Sequence, residues 1–342
     1  MNLYKKEFEI TSFDNLKVTI FVIGYKNIGE SNIVLFFDDN RVVFSMVIDS
    51  YKKGDLNITE KILDDLEIKE VDMVCWTHPH CDHTPGIAEI VEKYYHSGMV
   101  IFSPKFFYGN LMDDILVGEA KAAQEAFIKI IDKTKKDPNV KEIMRTISAS
   151  GDITNNYPMR IVDSNGTQKD FILYFLTPIG RRTDEYYIIK NKAFKKPNEL
   201  SVSFIISLDG YNFYFGSDTE NEHAKEIENH IVESMRWIKV PHHSSLGGQS
   251  IVDRLGPNAD FAASTVFASG GLPVKSIQDA YVSRNVRLFM TQITGTPEDQ
   301  LVDYGIVRFD YRFLKDDILV EIKTYANAGE YVSDSMSVSM EE

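Results

Sequence analysis

Three histidines and a carboxylate fall within six residues at His78-Pro79-His80-Cys81-Asp82-His83, in a chain with eight histidines in all. Imidazole nitrogens suit zinc, iron or manganese-class ions, and a carboxylate adds a hard oxygen to the same shell. The chemistry on offer is therefore metal ligation. Side chains two apart, such as His78 and His80, converge on one centre only where the backbone is extended or looped. The motif reads as a strand-to-helix loop, because an apolar strand-like run precedes it (Val71, Met73, Val74, Trp76) and a helix-like run follows (Ile87, Ile90, Val91, Tyr94). Thr84 is the expected N-cap and Pro85 the first helical residue. A second cluster, Pro241-His242-His243-Ser244-Ser245, follows another strand-like run, and Asp49 and Asp218 end strands where they can line a cleft between sheet edges.

The elements that position these residues alternate. Residues 18–24, 31–37 and 42–49 are rich in Val, Ile and Phe and read as strands; 58–66 has helical spacing, and a strand at 99–102 follows the metal motif and its helix. The class is α/β. Between 110 and 148 the pattern turns helical, with Leu116, Ala120, Ala123, Phe127 and Ile131 on one face and Val140, Ile143, Met144 and Ile147 on a second. This predicts a helical insertion at about 109–150, either packed on the core or offering a lid, dimer or partner surface. Strands resume at 159–162 and 171–176, a hairpin turns at Asp209-Gly210 between 201–208 and 211–215, and 220–236 reads as helix before a strand at 237–240. A last strand–helix alternation covers 261–291, and two β-rich runs reach about residue 325. Residues 1–330 read as one domain and 331–342 as a disordered polar tail.

Composition narrows the function classes. The chain has 342 residues, is 43% apolar and carries a formal charge of −14, which disfavours generic attraction to nucleic acid or anionic membrane. A polyanionic substrate would need a local basic patch, metal ions or a partner. One patch is the 181–198 segment, where Arg181, Arg182, Lys190, Lys192, Lys195 and Lys196 face only Asp184 and Glu185; it reads as a solvated loop or, through Lys192, Lys195 and Lys196, as a phosphate-steering site. No run approaches the roughly 18 apolar residues of a membrane span and the first residues lack signal-peptide features, so the expectation is a cytoplasmic protein. Cys75 and Cys81 cannot build a disulfide framework; Cys75 reads as core and Cys81 as packed rather than ligating. His96 reads as a helix C-terminal cation, and His223 and His230 as a solvated helix face.

The order of these motifs resembles the metallo-β-lactamase fold superfamily over residues 15–310. That resemblance implies an αββα four-layer sandwich with one or two divalent metal ions at one edge. Within the superfamily the chain is most similar to the hydrolase domain of the competence protein ComEC and its free-standing relatives, through Gly29-Glu30-Ser31, Asp49, Asn198 with Ser201, Gly216-Ser217-Asp218 in place of Gly-Asp, and Val240-Pro241-His242-His243-Ser244-Ser245 in place of a His-His-Gly-Ser element. It implies a phosphodiesterase or nuclease that uses a metal-bridging hydroxide.

Carried over, His78 and His80 hold a first metal, Asp82 and His83 a second, and Asp218 bridges them. His242 or His243 completes the second site, with His242 favoured because the preceding strand aims it first into the cleft. Asp49 stands behind a ligand histidine. The catalytic set is Asp82 orienting the water, with His243 and Ser244; Ser245 and the Gly247-Gly248 backbone add phosphate donors. No histidine lies between His96 and His223, so the first metal is sparsely held, which favours manganese over zinc. ComEC-type domains share that absence. ComEC itself is a channel with many membrane helices, and transport is not implied for this chain. Two alternatives remain: a metallo-hydrolase of a lactone, thioester or β-lactam, and a regulatory subunit of a multi-protein system, such as phage defence, that docks a protein partner or forms a homodimer via 109–150.

Overall fold

A computed structural model describes residues 4–104, 118–134, 144–184, 197–293, 302–314 and 317–333. The chain opens with β1 (Lys6–Ile10), which the sequence pattern does not predict, then the meander β2 (Leu16–Tyr25), β3 (Glu30–Asp38) and β4 (Arg41–Ile48). Next come α1 (Ile58–Asp65), β5 (Met73–Cys75), α2 (Ile87–Tyr94), β6 (Val100–Pro104), α3 (Gly118–Thr134) and β7 (Met144–Ile147). A second set follows with β8 (Asn156–Asp163), β9 (Gln168–Phe175), α4 (Gly180–Asp184), β10 (Phe204–Leu208), β11 (Tyr211–Phe215), α5 (Asn221–Ala224), α6 (Asn229–Glu233) and β12 (Met235–Lys239). The remaining elements are α7 (Gln249–Val252), β13 (Phe261–Ser264), α8 (Lys275–Ser283), β14 (Arg287–Met290), β15 (Tyr304–Phe313), β16 (Ile318–Ala326) and β17 (Gly329–Glu330).

The strands form two sheets, one ordered β16-β15-β2-β3-β4-β5-β6-β7 and the other β1-β8-β9-β10-β11-β12-β13-β14-β17. Their apolar runs are nearly continuous because both faces are buried. On β2, Val18, Ile20 and Val22 point between the sheets, where they meet Phe204, Phe213, Trp237 and Phe309 in one cluster. The alternate residues Phe21 and Ile23 point outward and pack with Ile58 of α1, Ile90 of α2 and Phe127 of α3. On the far side Tyr214 and Ile238 pack against Val232 of α6, Ile251 of α7 and Tyr281 of α8. The result is four layers, helix, sheet, sheet, helix, the α/β sandwich expected from the sequence.

Strand direction places the site. β4, β5 and β6 run parallel in one sheet, and β11, β12, β13 and β14 run parallel in the other. Asp49 and the metal motif leave the carboxyl ends of β4 and β5, while Asp218 and the His242-His243 pair leave those of β11 and β12. Loops at the carboxyl ends of parallel strands are the usual crevice of open α/β sheets.

Three local expectations are corrected. Met144–Ile147, expected as part of a helix, is strand β7 beside β6, since a four-residue apolar run does not separate the two periods. The helix expected at 220–236 is broken into α5 and α6, and Met235 already belongs to β12. Thr84 is not an N-cap. Its hydroxyl accepts from Trp76 Nε1 at 3.1 Å, and α2 starts after Gly86, whose φ of +98° suits glycine alone and where a Cβ would lie 2.8 Å from Asn57 Nδ2. Of the 109–150 segment the described helix is α3, whose Ala123, Phe127 and Ile130 are buried; Phe127 meets the Trp76 ring edge-on at 5.5 Å. No helix among the described residues is long and apolar enough to cross a membrane.

Candidate metal centre

Asp49 sits just past β4 in the left-handed region (φ 56°) and turns its carboxylate under the metal motif. Its Oδ1 accepts from the Thr77 backbone N–H at 2.7 Å, and its Oδ2 accepts from Thr77 Oγ1 at 2.6 Å and from His83 Nδ1 at 2.7 Å. A carboxylate only accepts, so His83 keeps a proton on Nδ1 and turns Nε2 inward. Thr77 has one hydroxyl proton and donates it to Asp49. Toward Ser217 Oγ (2.7 Å) and His78 Nδ1 (3.0 Å) it is therefore the acceptor, which leaves the His78 Nε2 lone pair facing the cleft as well.

The opposite sheet supplies Asp218, which is 1% exposed. Its Oδ1 lies 3.3 Å from His83 Nε2 and 3.6 Å from His243 Nε2; its Oδ2 lies 3.8 Å from His78 Nε2 and 3.8 Å from His242 Nε2. Asp82 Oδ2 is 2.9 Å from His243 Nε2 and 3.5 Å from His83 Nε2, while Oδ1 is 2.9 Å from His80 Nδ1. Among the described residues three groups of donor atoms lie mutually within 4.8 Å: Asp82, His83, Asp218 and His243; His78, His80 and Asp218; and, toward the surface, His80, Cys81 and Asp82. His78 Nε2, His83 Nε2 and both Asp218 oxygens are buried without a hydrogen-bond partner. Such orphaned atoms are rare in folded proteins, and here they converge, which fits divalent cations held by nitrogen and oxygen.

The electrostatics agree. Burial alone would raise the Asp218 pKa, but His83, His243 and His242 outweigh it and hold the group well below the usual carboxylate range. Burial likewise works against charge on His83, yet Asp82, Asp218 and Asp49 push its pKa well above the ordinary value. His78 moves the other way, driven down chiefly by burial and by His83. The pocket attracts positive charge.

Several roles expected from the residue pattern move. His243, not the favoured His242, joins Asp82, His83 and Asp218. Strand alternation does not carry past Pro241, because His242, His243 and Ser244 all adopt positive φ (44°, 50° and 61°) and the backbone N–H of His242 donates to Ser217 O at 2.7 Å. His242 is displaced to the solvent side, 20% exposed, with Asn198 Nδ2 3.2 Å from its Nε2. Ser244 is fully buried and pairs with Ser264 Oγ at 2.8 Å, beneath the site. Ser245 Oγ accepts the Gly247 N–H at 3.1 Å, and the Gly248 N–H donates to Ser245 O, so the two glycine N–H groups serve the turn while the Ser245 hydroxyl proton is not used by either bond. Lys192, Lys195 and Lys196 lie outside the described residues. Cys81 is exposed beside His80 and Asp82 rather than packed, while Cys75 is core. His223 is not solvated: it is 3% exposed, its Nε2 is 2.8 Å from Glu199 Oε2, and its Nδ1 accepts the Ile179 N–H at 3.1 Å.

Three residues that spacing does not flag stand behind His243. Thr265 Oγ1 is 2.8 Å from His243 Nδ1 and donates to Glu30 Oε2 at 2.5 Å, and Glu30 Oε2 is 2.7 Å from Lys239 Nζ. A lysine at the end of an apolar strand and a glutamate at the start of another are the one signal that could have paired them. Phe267 closes the site from above, its ring stacked on His243 at 5.5 Å and 6.1 Å from His80.

No family model and no curated protein matches the chain. Among solved structures it is similar to a diphosphatase from the PhnP family, at 11% identity and TM-score 0.37, covering 75% of this chain and 92% of that one. It is also similar to a protein of Parabacteroides distasonis ATCC 8503 assigned as a metal-dependent hydrolase, at 13% identity and TM-score 0.41, covering 83% of this chain and 98% of that one. No residue role is carried over from either.

Proposed function

We propose that the chain is a metallo-β-lactamase-type hydrolase of phosphodiesters that works with two divalent ions. The observation that carries the reading is the carboxylate of Asp218, whose two buried, unpartnered oxygens face separate groups of donor atoms. His78, His80 and Asp218 Oδ2 would hold one ion, and Asp82, His83, His243 and Asp218 Oδ1 the other. Bound there, paired ions supply an activated water near neutral pH and offset charge on the attacking and leaving oxygens. The protein's part is orientation: Asp49 fixes His83 directly and His78 through Thr77, so their Nε2 atoms face inward before any ligand arrives. Asp82 reaches both His80 and His243 and ties the two halves together. His242 and Asn198, on the solvent side of Asp218, are the first side chains a substrate would meet. The resemblance of the Gly29-Glu30-Ser31, Gly216-Ser217-Asp218 and Val240–Ser245 segments to ComEC-type domains supports phosphodiester over acyl substrates.

The test is metal analysis of protein purified without chelator, followed by turnover of bis-p-nitrophenyl phosphate, DNA and RNA with Mn²⁺ or Zn²⁺, alongside chromogenic esters. The reading expects two ions per chain and phosphodiester cleavage that Asp218→Asn abolishes. A folded Asp218→Asn protein with wild-type metal content and turnover would refute it, and turnover of esters alone would favour the acyl reading.

A further inference from the structure

We infer that Glu30, Lys239 and Thr265 are positioning residues of the metal centre, a buried relay across the two sheets that sets which nitrogen of His243 carries the proton. The inference rests on reading the site as a metal centre. Glu30 is the first residue of β3, Lys239 the last of β12, and Thr265 follows β13, so the relay joins the sheets at the edge where the donor atoms gather. Glu30 and Lys239 are each 1% exposed. A buried ion pair commonly returns less in attraction than it loses in desolvation, and apolar side chains of the same volume serve a core at least as well. Packing therefore does not account for it.

Proton accounting does. Thr265 has one hydroxyl proton and directs it to Glu30 Oε2, and Glu30, paired with the Lys239 ammonium, has no proton to return. Toward His243 Nδ1 the Thr265 oxygen can then only accept, so Nδ1 is the protonated nitrogen. His243 Nε2 then faces Asp82 Oδ2 at 2.9 Å and Asp218 Oδ1 at 3.6 Å, and since carboxylates only accept, Nε2 calls for a cation, or a second proton, between them. The Asp49-Thr77-His78 chain has the same form, a carboxylate acting on an imidazole through a threonine hydroxyl. Glu30 also holds the facing loop, since its backbone N–H donates to Asp82 O at 2.9 Å. Glu30 Oε2 faces both Lys239 Nζ and Thr265 Oγ1, so a glutamine at position 30 keeps that backbone bond and can turn its amide N–H to Thr265 once Lys239→Met removes the ammonium. The hydroxyl would then turn toward His243 Nδ1 and move the imidazole proton to Nε2, the tautomer that cannot ligate.

The experiment uses the full chain. Histidine side-chain ¹⁵N NMR on metal-free protein, above the histidine titration range, reads the tautomer, and calorimetric titration with Zn²⁺ or Mn²⁺ alone reads each equivalent of metal. The wild type should show a proton on His243 Nδ1, whether or not Nε2 also carries one toward Asp82. The double variant Glu30→Gln, Lys239→Met should clear the proton from Nδ1 and leave it on Nε2, and should weaken one metal equivalent by about 10–100-fold while sparing the other, as loss of an outer-shell partner does. Thr265→Val should weaken the same equivalent, and Thr265→Ser should restore it. Lys239→Met removes the ammonium that would otherwise hold the glutamine oxygen toward Thr265, and if the double variant fails to fold, the Thr265→Val and Thr265→Ser pair keeps the test. A folded Glu30→Gln, Lys239→Met double variant and a folded Thr265→Val protein, both with the wild-type His243 protonation and both wild-type affinities, would overturn the relay. A wild type that binds both ions but cleaves no phosphodiester would sink the substrate reading and leave this test intact; if it binds neither ion, the tautomer alone decides the relay.

Discussion

The two halves of the candidate site reach the same geometry by different means. In the half that follows β5, four donors lie within six residues, and their support, Asp49, comes from the end of the neighbouring strand β4 in the same sheet and contacts both His83 and Thr77 directly. In the half that follows β11 and β12, the backbone runs through successive left-handed residues at His242, His243 and Ser244, and support for His243 comes from Thr265 and Glu30, distant in sequence. One half is held from within a single sheet. The other is held by contacts between sheets, and it should be the half that fails first when those contacts are altered.

The comparison can be broken or sharpened by substitution, beginning with the residue the halves share. Asp218→Asn removes a donor from both groups and should lower phosphodiester turnover by at least about 10³-fold with loss of bound metal, read by steady-state kinetics and metal analysis. Lys239→Met leaves Glu30 as a buried charge without its cation and should destabilise the fold by about 3–5 kcal/mol in urea unfolding, while adding Glu30→Gln should recover most of it. Equal destabilisation by the single and double variants would show that the ion pair is not coupled. Asp49→Asn acts on His83 and His78 together and should weaken metal binding by about 10–100-fold in calorimetric titration, affecting both equivalents where Thr265→Val affects one. Gly86→Ala forces a Cβ into the left-handed region against Asn57 and should cost about 1–2 kcal/mol in thermal unfolding. Smallest is Ser244→Ala, which removes a buried hydroxyl pair beneath the site and should cost about 1 kcal/mol with turnover unchanged. A collapse of kcat there would restore Ser244 as a group that touches substrate.

Legibility follows the same division. The strands from β2 to β4, helices α1 and α2, and the ligand loop are readable because each period is set by neighbours in the chain. Met144–Ile147 misleads because a short apolar run satisfies either period until β6 offers it hydrogen bonds. Thr84 has the composition of an N-cap, yet the indole of Trp76 takes its hydroxyl. His223 looks solvated among acidic neighbours in sequence, but its partner Glu199 arrives from another segment.

By itself the sequence determined the chemistry: a histidine- and carboxylate-rich loop between a strand and a helix, two strand-ending aspartates, and a second histidine pair downstream. These are properties of residue type and short spacing, and they hold however the elements pack. Only the tertiary structure decided that His243 rather than His242 enters the cluster, since three positive φ angles after Pro241 rotate the pair away from strand alternation. It alone also decided which groups stand behind the ligands. Thr265, Glu30 and Lys239 come from three strands in two sheets, and a hydrogen-bond direction shared among them exists only once those sheets are packed.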